Sequence, residues 1–154
     1  MTVSYFQNVG CFDFCESVQQ VQSHPELTKI FILNLHDHQV NLAGVKFELS
    51  SNIISMATVI PIVGEKWFKQ ANLHLSHYEP FLKPRYKSDY KSIFLFSHLL
   101  ERYAPLMRVI MKYFTCEGRF SRLYSYHIRL LMHFTRVKMI HLPYYLYMSI
   151  DKMS

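Results

Sequence analysis

The chain is expected to fold as a mainly α, single-domain helical bundle carrying one small two-stranded β element near residues 39–49. Three observations set that expectation. Apolar residues recur at helical spacing through most of the second half, Pro105 and Pro143 stand where helices begin, and strict apolar–polar alternation is confined to Val45-Lys46-Phe47-Glu48-Leu49. Of the 154 residues, 50% are apolar and 18% charged, so a core can form without staples; a globule of this length buries roughly 70% of its unfolded surface. Residues 1–154 are therefore read as one domain, with 1–22 peripheral to it.

From the start of the chain, Phe14, Val18 and Val21 have helical spacing, which predicts a short helix from about Phe12 to a stop near His24. Ser23, Pro25 and Glu26 together read as a capping-box start. A helix over Pro25 to Leu35 follows, with Leu27, Ile30, Phe31 and Leu35 facing inward and His36-Asp37-His38 ending it. The alternating segment 45–49 has a Gly before it and should pair with residues near Gln39 to Leu42. Ser50 or Ser51 then caps a helix through Ile53, Ile54 and Ala57 that ends before Pro61. Gly64-Glu65-Lys66-Trp67-Phe68-Lys69 is a turn into an aromatic anchor, and Leu73 to Leu82 adds a short helix before Pro84. Lys83 to Lys91 (KPRYKSDYK), rich in charge, Tyr and turn formers, should be the most exposed loop.

From Ile93 the pattern is almost wholly helical: Ile93 to Tyr103, Pro105 to Thr115, a turn at Glu117-Gly118, Arg119 to Thr135, and a last helix entered through Pro143. Leu106, Val109, Ile110, Tyr113 and Phe114 form one apolar stripe, and Phe120, Leu123, Tyr124, His127, Leu131 and Phe134 another. The two helices should pack face to face as a hairpin at the heart of the fold.

Charge is divided unevenly along the chain. Residues 1–64 hold two Lys/Arg against five Asp/Glu, net −3, and residues 65–154 hold 15 against six, net +9. The second part could attract phosphates, anionic lipid or an acidic protein surface. Cys11, Cys15 and Cys116 are an odd count, and MTVSYFQNVG has neither a basic start nor a continuous apolar run. An intracellular setting with free thiols, in nucleus or cytoplasm and not secreted, is expected. No run of about 18 apolar residues is present to span a bilayer, and Pro143 interrupts the nearest one, Met139 to Ile150.

Chemistry finds little support. Nine histidines include the pairs His36/His38 and His74/His77, but no CxxC or HExxH string joins them, so no metal ligand set is assigned. Cys116 with His127 or His133 could suggest a thiol nucleophile, yet no orienting third residue is visible. GxGxxG, GxxxxGK[ST] and GxSxG are absent. No catalytic residue and no cofactor follow, and the expectation is a protein that is not an enzyme.

Two features resemble binding surfaces. Arg119, Arg122, Tyr126, Arg129, His133 and Arg136 have spacings that would place them on one face of the 119–135 helix. With Lys83, Arg85 and Lys87 from the preceding loop they form a candidate nucleic-acid surface, arginine forks for phosphates and Tyr126 for stacking. The bland alternative is a solvated or internally paired helix face. The second feature is HLPYYLYMSI, whose Tyr144, Tyr145, Tyr147 and Met148 crowd one short helix; it is either buried or offered to a partner subunit.

GEKWFK (64–69), YFTCEGRFSRLYSYHIRLLMHFT (113–135) and LPYYLYMSIDKM (142–153), in that order, resemble an uncharacterised plant transposon-associated protein family. The resemblance covers residues of about 40–154 and transfers no functional residue. It implies plant origin and descent from element-encoded sequence, possession of a truncated copy as a small host gene included, and it does not imply transposition, for which no metal-binding carboxylate set is present. The expectation that results is a non-enzymatic interaction module acting through protein–protein contacts, with an unknown partner or itself. A nucleic-acid-binding module using the 119–136 face is the alternative, and a small membrane-active or toxic host protein the weaker one.

Overall fold

A computed structural model describes residues 2–69, 73–87, 93–116, 119–135 and 137–153. The protein is mainly helical with small antiparallel sheets. It divides into two compact units, each assembled from separated stretches of chain: residues 1–5 with 69–138, and residues 6–68 with 139–154.

In the second of these units, here the hairpin unit, the expected helix near Phe12 is present as α2 (Phe12–Gln20), preceded by an unanticipated α1 (Thr2–Asn8) that begins in the other unit's residues. Helix α3 (Pro25–Leu33) is shorter than expected. His24, not Ser23, is its N-cap, and no side-chain cap bond forms there; Pro25 occupies the first turn, where its missing N–H costs nothing. Leu35 and His36 leave the helix as β1, which pairs with β2 (Gln39–Leu42), which pairs in turn with β3 (Val45–Glu48). The expected two-stranded element is thus the larger part of a three-stranded meander.

Both turns of that meander contain two residues. Asp37 and His38 have φ of 47° and 66°, Ala43 and Gly44 of 49° and 83°. Positive φ at both central positions is the twist-matched turn that joins adjacent antiparallel strands most tightly. Ala43 is the costly member, since its Cβ is crowded in this region. Ser50 caps α4 (Ser51–Thr58) by accepting from the Ile53 N–H at 3.3 Å, as expected. Helix α8 (Leu142–Asp151) lies against α4, and its Leu146, Tyr147 and Ile150 close the meander core of Leu35, Val40, Leu49 and Ile54. Phe31 joins that core, but Leu27 and Ile30, expected inside, are exposed.

Gly64 carries the chain past residues 139–141. Glu65 and Ile140 form a parallel bridge, with Glu65 N–H donating to the Met139 carbonyl (3.2 Å) and His141 N–H to the Glu65 carbonyl (2.8 Å). That approach leaves no room for a Cβ at residue 64. Trp67 follows, fully buried, as the anchor the sequence promised.

The other unit is the helical unit. It contains α5 (Leu75–Tyr78), β4 (Phe94–Leu95), α6 (Ala104–Val109) continued by a wide π turn over Ile110–Phe114, β5 (Arg122–Leu123) and α7 (Ser125–Phe134). Two expectations fail here. Ile93 to Tyr103 is not a helix: Phe94–Leu95 pairs with Arg122–Leu123, Phe96 N–H donates to the Ser121 carbonyl at 2.7 Å, and only single 3-10 turns follow. The helix predicted from Arg119 starts only at Ser125, because strand pairing claims the preceding residues. Phe120 and Tyr124, assigned to the core stripe, are consequently exposed, while Leu123, His127, Leu131 and Phe134 are buried.

The packing of the 105–115 segment on α7 is as anticipated, with Phe114 and Phe134 rings 5.1 Å apart. Its inner face, however, runs through Leu106, Met107, Ile110, Met111 and Phe114, two adjacent i/i+4 rows, and leaves Val109 and Tyr113 only half-buried. The turn expected at Glu117-Gly118 lies outside the described residues.

Candidate functional site

The continuous basic helix face does not form. Arg119 and Arg122 precede α7, both exposed; Arg129 is half-buried on the helix; His133 is 2% exposed and belongs to the core. Burial pushes the His133 imidazole down to about 4, against a smaller opposing contribution from the Lys138 backbone, so it is neutral near pH 7 and contributes no charge. Arg136 lies outside the described residues. Lys83 is half-buried, Arg85 and Lys87 are exposed, and Arg85 packs over the neighbouring Tyr86 ring (4.7 Å); residues 88–91 of that loop are not described.

Strand β5 and the start of α7 assemble a different basic feature. The Arg122 guanidinium lies 4.7 Å from the Tyr124 ring, Tyr124 and Tyr126 stack 5.3 Å apart with planes 5° from parallel, and the Lys69 ammonium sits 5.0 Å from Tyr126. Cation, ring, ring and cation form a ladder, an arrangement that fixes the rings and neutralises none of the charge. Its setting is strongly basic: residues 1–5 and 69–138 carry 13 Lys/Arg against four Asp/Glu, net +9, whereas the hairpin unit carries four against seven, net −3. The asymmetry read from the two parts of the sequence therefore follows the structural division.

The aromatic C-terminal helix is mostly engaged within its own unit. Tyr145 is fully buried and stacks on Trp67; Tyr147 bonds through its hydroxyl to His38 Nδ1 (2.7 Å), which also lies 2.8 Å from Asp151 Oδ1; Tyr144 receives the Lys66 ammonium at 5.6 Å. Met148 is half-buried. Of the four residues, Tyr145 alone is wholly inside, while Tyr144, Tyr147 and Met148 keep part of their surface exposed.

Histidines act repeatedly as caps. Among the described residues, Nδ1 accepts a backbone N–H at the entrance of a helical turn in His77 from His74 (3.1 Å), His98 from Leu95 (3.2 Å), His127 from Tyr124 (2.9 Å) and His141 from Tyr144 (3.1 Å). The neutral ring supplies the acceptor that Ser or Asp usually provides. Among the described residues no three His, Cys, Asp or Glu side chains gather closely enough to hold a metal ion. Cys11 and Cys15 are buried, and that burial raises both thiols to about 12. Cys116 is exposed, at φ of 54° after the π turn rather than at a helix start; partial burial raises its thiol while Lys69 acts in the opposite direction. No described helix is long and apolar enough to cross a membrane.

Among the described residues of the helical unit, two cavities stand out. One, of about 360 Å³, is bounded by Lys83, Phe96, Glu101 and Arg108 with Leu99 and Pro105. The other, of about 350 Å³, is lined mainly by Tyr5, His77, Phe81, Tyr103 and Met132.

Sequence reasoning also misplaced α3. Leu27, Ile30 and Leu33 are 57%, 49% and 64% exposed, and no residue of the helix is buried. Its apolar content reads as core in a sequence, but of its side chains Phe31 is the one that packs against the meander. Comparison with protein-family models, with curated proteins and with solved structures finds no match to this chain.

Proposed function

We propose that the chain is a non-enzymatic interaction module of plant transposable-element ancestry that acts through protein–protein contacts, with α3 as its contact helix and a second copy of itself as the first partner. The observation that carries this reading is the exposed stripe Leu27, Ile30 and Leu33. Leu-x-x-Ile-x-x-Leu reads alike in both directions about Ile30. Two α3 helices related by a two-fold axis there place each Leu27 against the other copy's Leu33, the self-complementarity that a symmetric dimer requires. Three partly exposed side chains offer on the order of 300 Å² per copy, below the roughly 800 Å² per partner of a stable complex, so the contact is weak and reversible.

The reading treats residues 1–154 as one helical-bundle domain. It is supported by the interleaved path, since neither unit can be excised as one continuous stretch. The ancestry rests on GEKWFK, YFTCEGRFSRLYSYHIRLLMHFT and LPYYLYMSIDKM, and an intracellular location on the free thiols. Sedimentation of the full chain over a wide concentration range tests the contact. Dimerisation that disappears in Leu27→Ser with Ile30→Ser, at unchanged helicity, supports it; a monomer at every concentration removes the self-contact.

A second reading, nucleic-acid binding, is favoured by the Arg122–Tyr124–Tyr126–Lys69 ladder in the +9 unit. It moves the binding surface from the 119–136 helix face to the ladder. Affinity for single-stranded RNA should fall steeply with salt and be lost in Arg122→Glu with Lys69→Glu. A salt-independent response would remove this reading.

A further inference from the structure

The first cavity of the helical unit has the construction of a small-anion site. Its frame is backbone: Leu82 and Leu99 form an antiparallel bridge, Lys83 N–H donates to the His98 carbonyl at 2.9 Å, and Leu100 N–H to the Phe81 carbonyl at 2.8 Å. These bonds hold the stem of Lys83 beside the 96–99 turn. Arg108 lies one helical turn after Ala104 and Pro105, so all three share the side of α6 that faces the cavity. Its guanidinium packs 5.4 Å from the Phe96 ring, which restricts the plane in which its N–H groups can donate.

The charges around this opening are not spent on one another. Among the described residues, Lys83, Glu101 and Arg108 take part in no ion pair. Two cations and one carboxylate leave the rim at net +1, within a unit of net +9. The Ser97 hydroxyl and the Glu101 carboxylate add polar partners, while Leu99, Ala104 and Pro105 supply apolar wall. The space is an open cleft, with Ser97, Glu101, Pro105 and Arg108 exposed at its rim, and its volume of about 360 Å³ suits a small organic ligand.

We propose that this cavity binds a hydroxylated phosphomonoester of the size of a sugar phosphate or nucleoside monophosphate. Arg108 and Lys83 hold the phosphate, the first by its fork and the second as a mobile point charge. Glu101 and Ser97 receive hydroxyl groups of the body, and the apolar wall covers its remaining face. Inorganic phosphate alone would engage the cations but leave Glu101 facing an anion without a hydroxyl between them.

Titration calorimetry of the full chain with ribose 5-phosphate, adenosine 5′-monophosphate and inorganic phosphate tests this assignment. At least one ester should bind at least about tenfold more tightly than inorganic phosphate, and which ester does so identifies the body. Arg108→Gln and Lys83→Gln should each weaken that ester about tenfold or more, the loss expected for a charge-assisted hydrogen bond. Arg122→Glu with Lys69→Glu should leave its affinity within about twofold, since those residues lie on the ladder and not on the cavity. Failure of both esters to saturate by about 10 mM, equal binding of inorganic phosphate, or an unchanged affinity in the two Gln variants with native helicity would each overturn the proposal.

Discussion

The indole of Trp67 lies on the ring of Tyr145, centroids 5.4 Å apart and planes 13° from parallel, with both side chains fully buried. Phe68 adds a tilted ring to the same cluster, 5.3 Å from Tyr145. Trp67→Ala should cost about 3–5 kcal/mol of unfolding free energy, through lost burial and the cavity left behind. Because Trp67 is the only tryptophan in the sequence, its emission reports this site directly. Blue-shifted fluorescence in the native chain, moving red in one cooperative transition with denaturant, is the expected result; emission at the solvent-exposed wavelength from the start would contradict the packing.

Leu27 and Ile30 provide the opposite case. Replacing both by Ala should change stability by less than about 1 kcal/mol, whereas Ile54→Ala in the meander core should cost about 2–5 kcal/mol. Urea unfolding of the two variants side by side checks this. Equal losses would return α3 to the core.

Gly64 holds φ of +94°, and a Cβ there would lie 2.7 Å from backbone atoms of Met139 and Ile140. Gly64→Ala should therefore destabilise by more than about 1 kcal/mol. The expected result is a clearly lowered Tm, and an unaltered Tm would mean that the Glu65–Ile140 bridge is not formed in solution.

Stability should decline below neutrality through His133. Its pKa falls from an ordinary 6.5 to about 4 in the folded chain, chiefly because burial disfavours the cation. Between those two values the unfolded chain binds a proton that the folded chain refuses, so stability is fully present above pH 6.5 and is lost as pH falls toward 4. The full shift corresponds to about 3 kcal/mol. His141 is lowered by burial as well, with Lys66 reinforcing, and acts in the same direction. Denaturant midpoints measured from pH 7.5 to 4 should show this slope, and it should flatten in His133→Leu.

The three thiols should separate by reactivity. Cys116 is exposed, whereas Cys11 and Cys15 are buried with thiols held near 12. At pH 8 a thiol reagent should titrate one group quickly and the other two only on unfolding. Fast reaction of all three would mean that α2 opens readily.

Features with a local physical cause were legible from sequence. Ser50 capping α4, Pro143 starting α8 and the pairing of residues 39–42 with 45–48 each depend on neighbours a few positions away. What escaped depends on distant partners. Phe94 and Leu123 read as helical because their spacing suits a helix, but each is claimed by the other across a strand pair. That pairing displaced the start of α7 and with it Arg119 and Arg122, so the inferred basic face dissolved. His133 was counted as surface because a histidine's side cannot be fixed from spacing alone when the helix has moved. The ladder was not legible because Lys69 and Tyr126 are 57 positions apart.

The order in which the chain leaves the ribosome gives the closure of the meander by α8 a further meaning. Residues 35–54 are made early, but the side chains that cover their apolar face, Leu146, Tyr147 and Ile150, are made some ninety positions later. Throughout that interval a hydrophobic surface stands open on a nascent polypeptide, a period in which a chaperone or a neighbouring chain can occupy it. A chain halted at His141 should accordingly bind a hydrophobic dye that the chain carrying α8 does not.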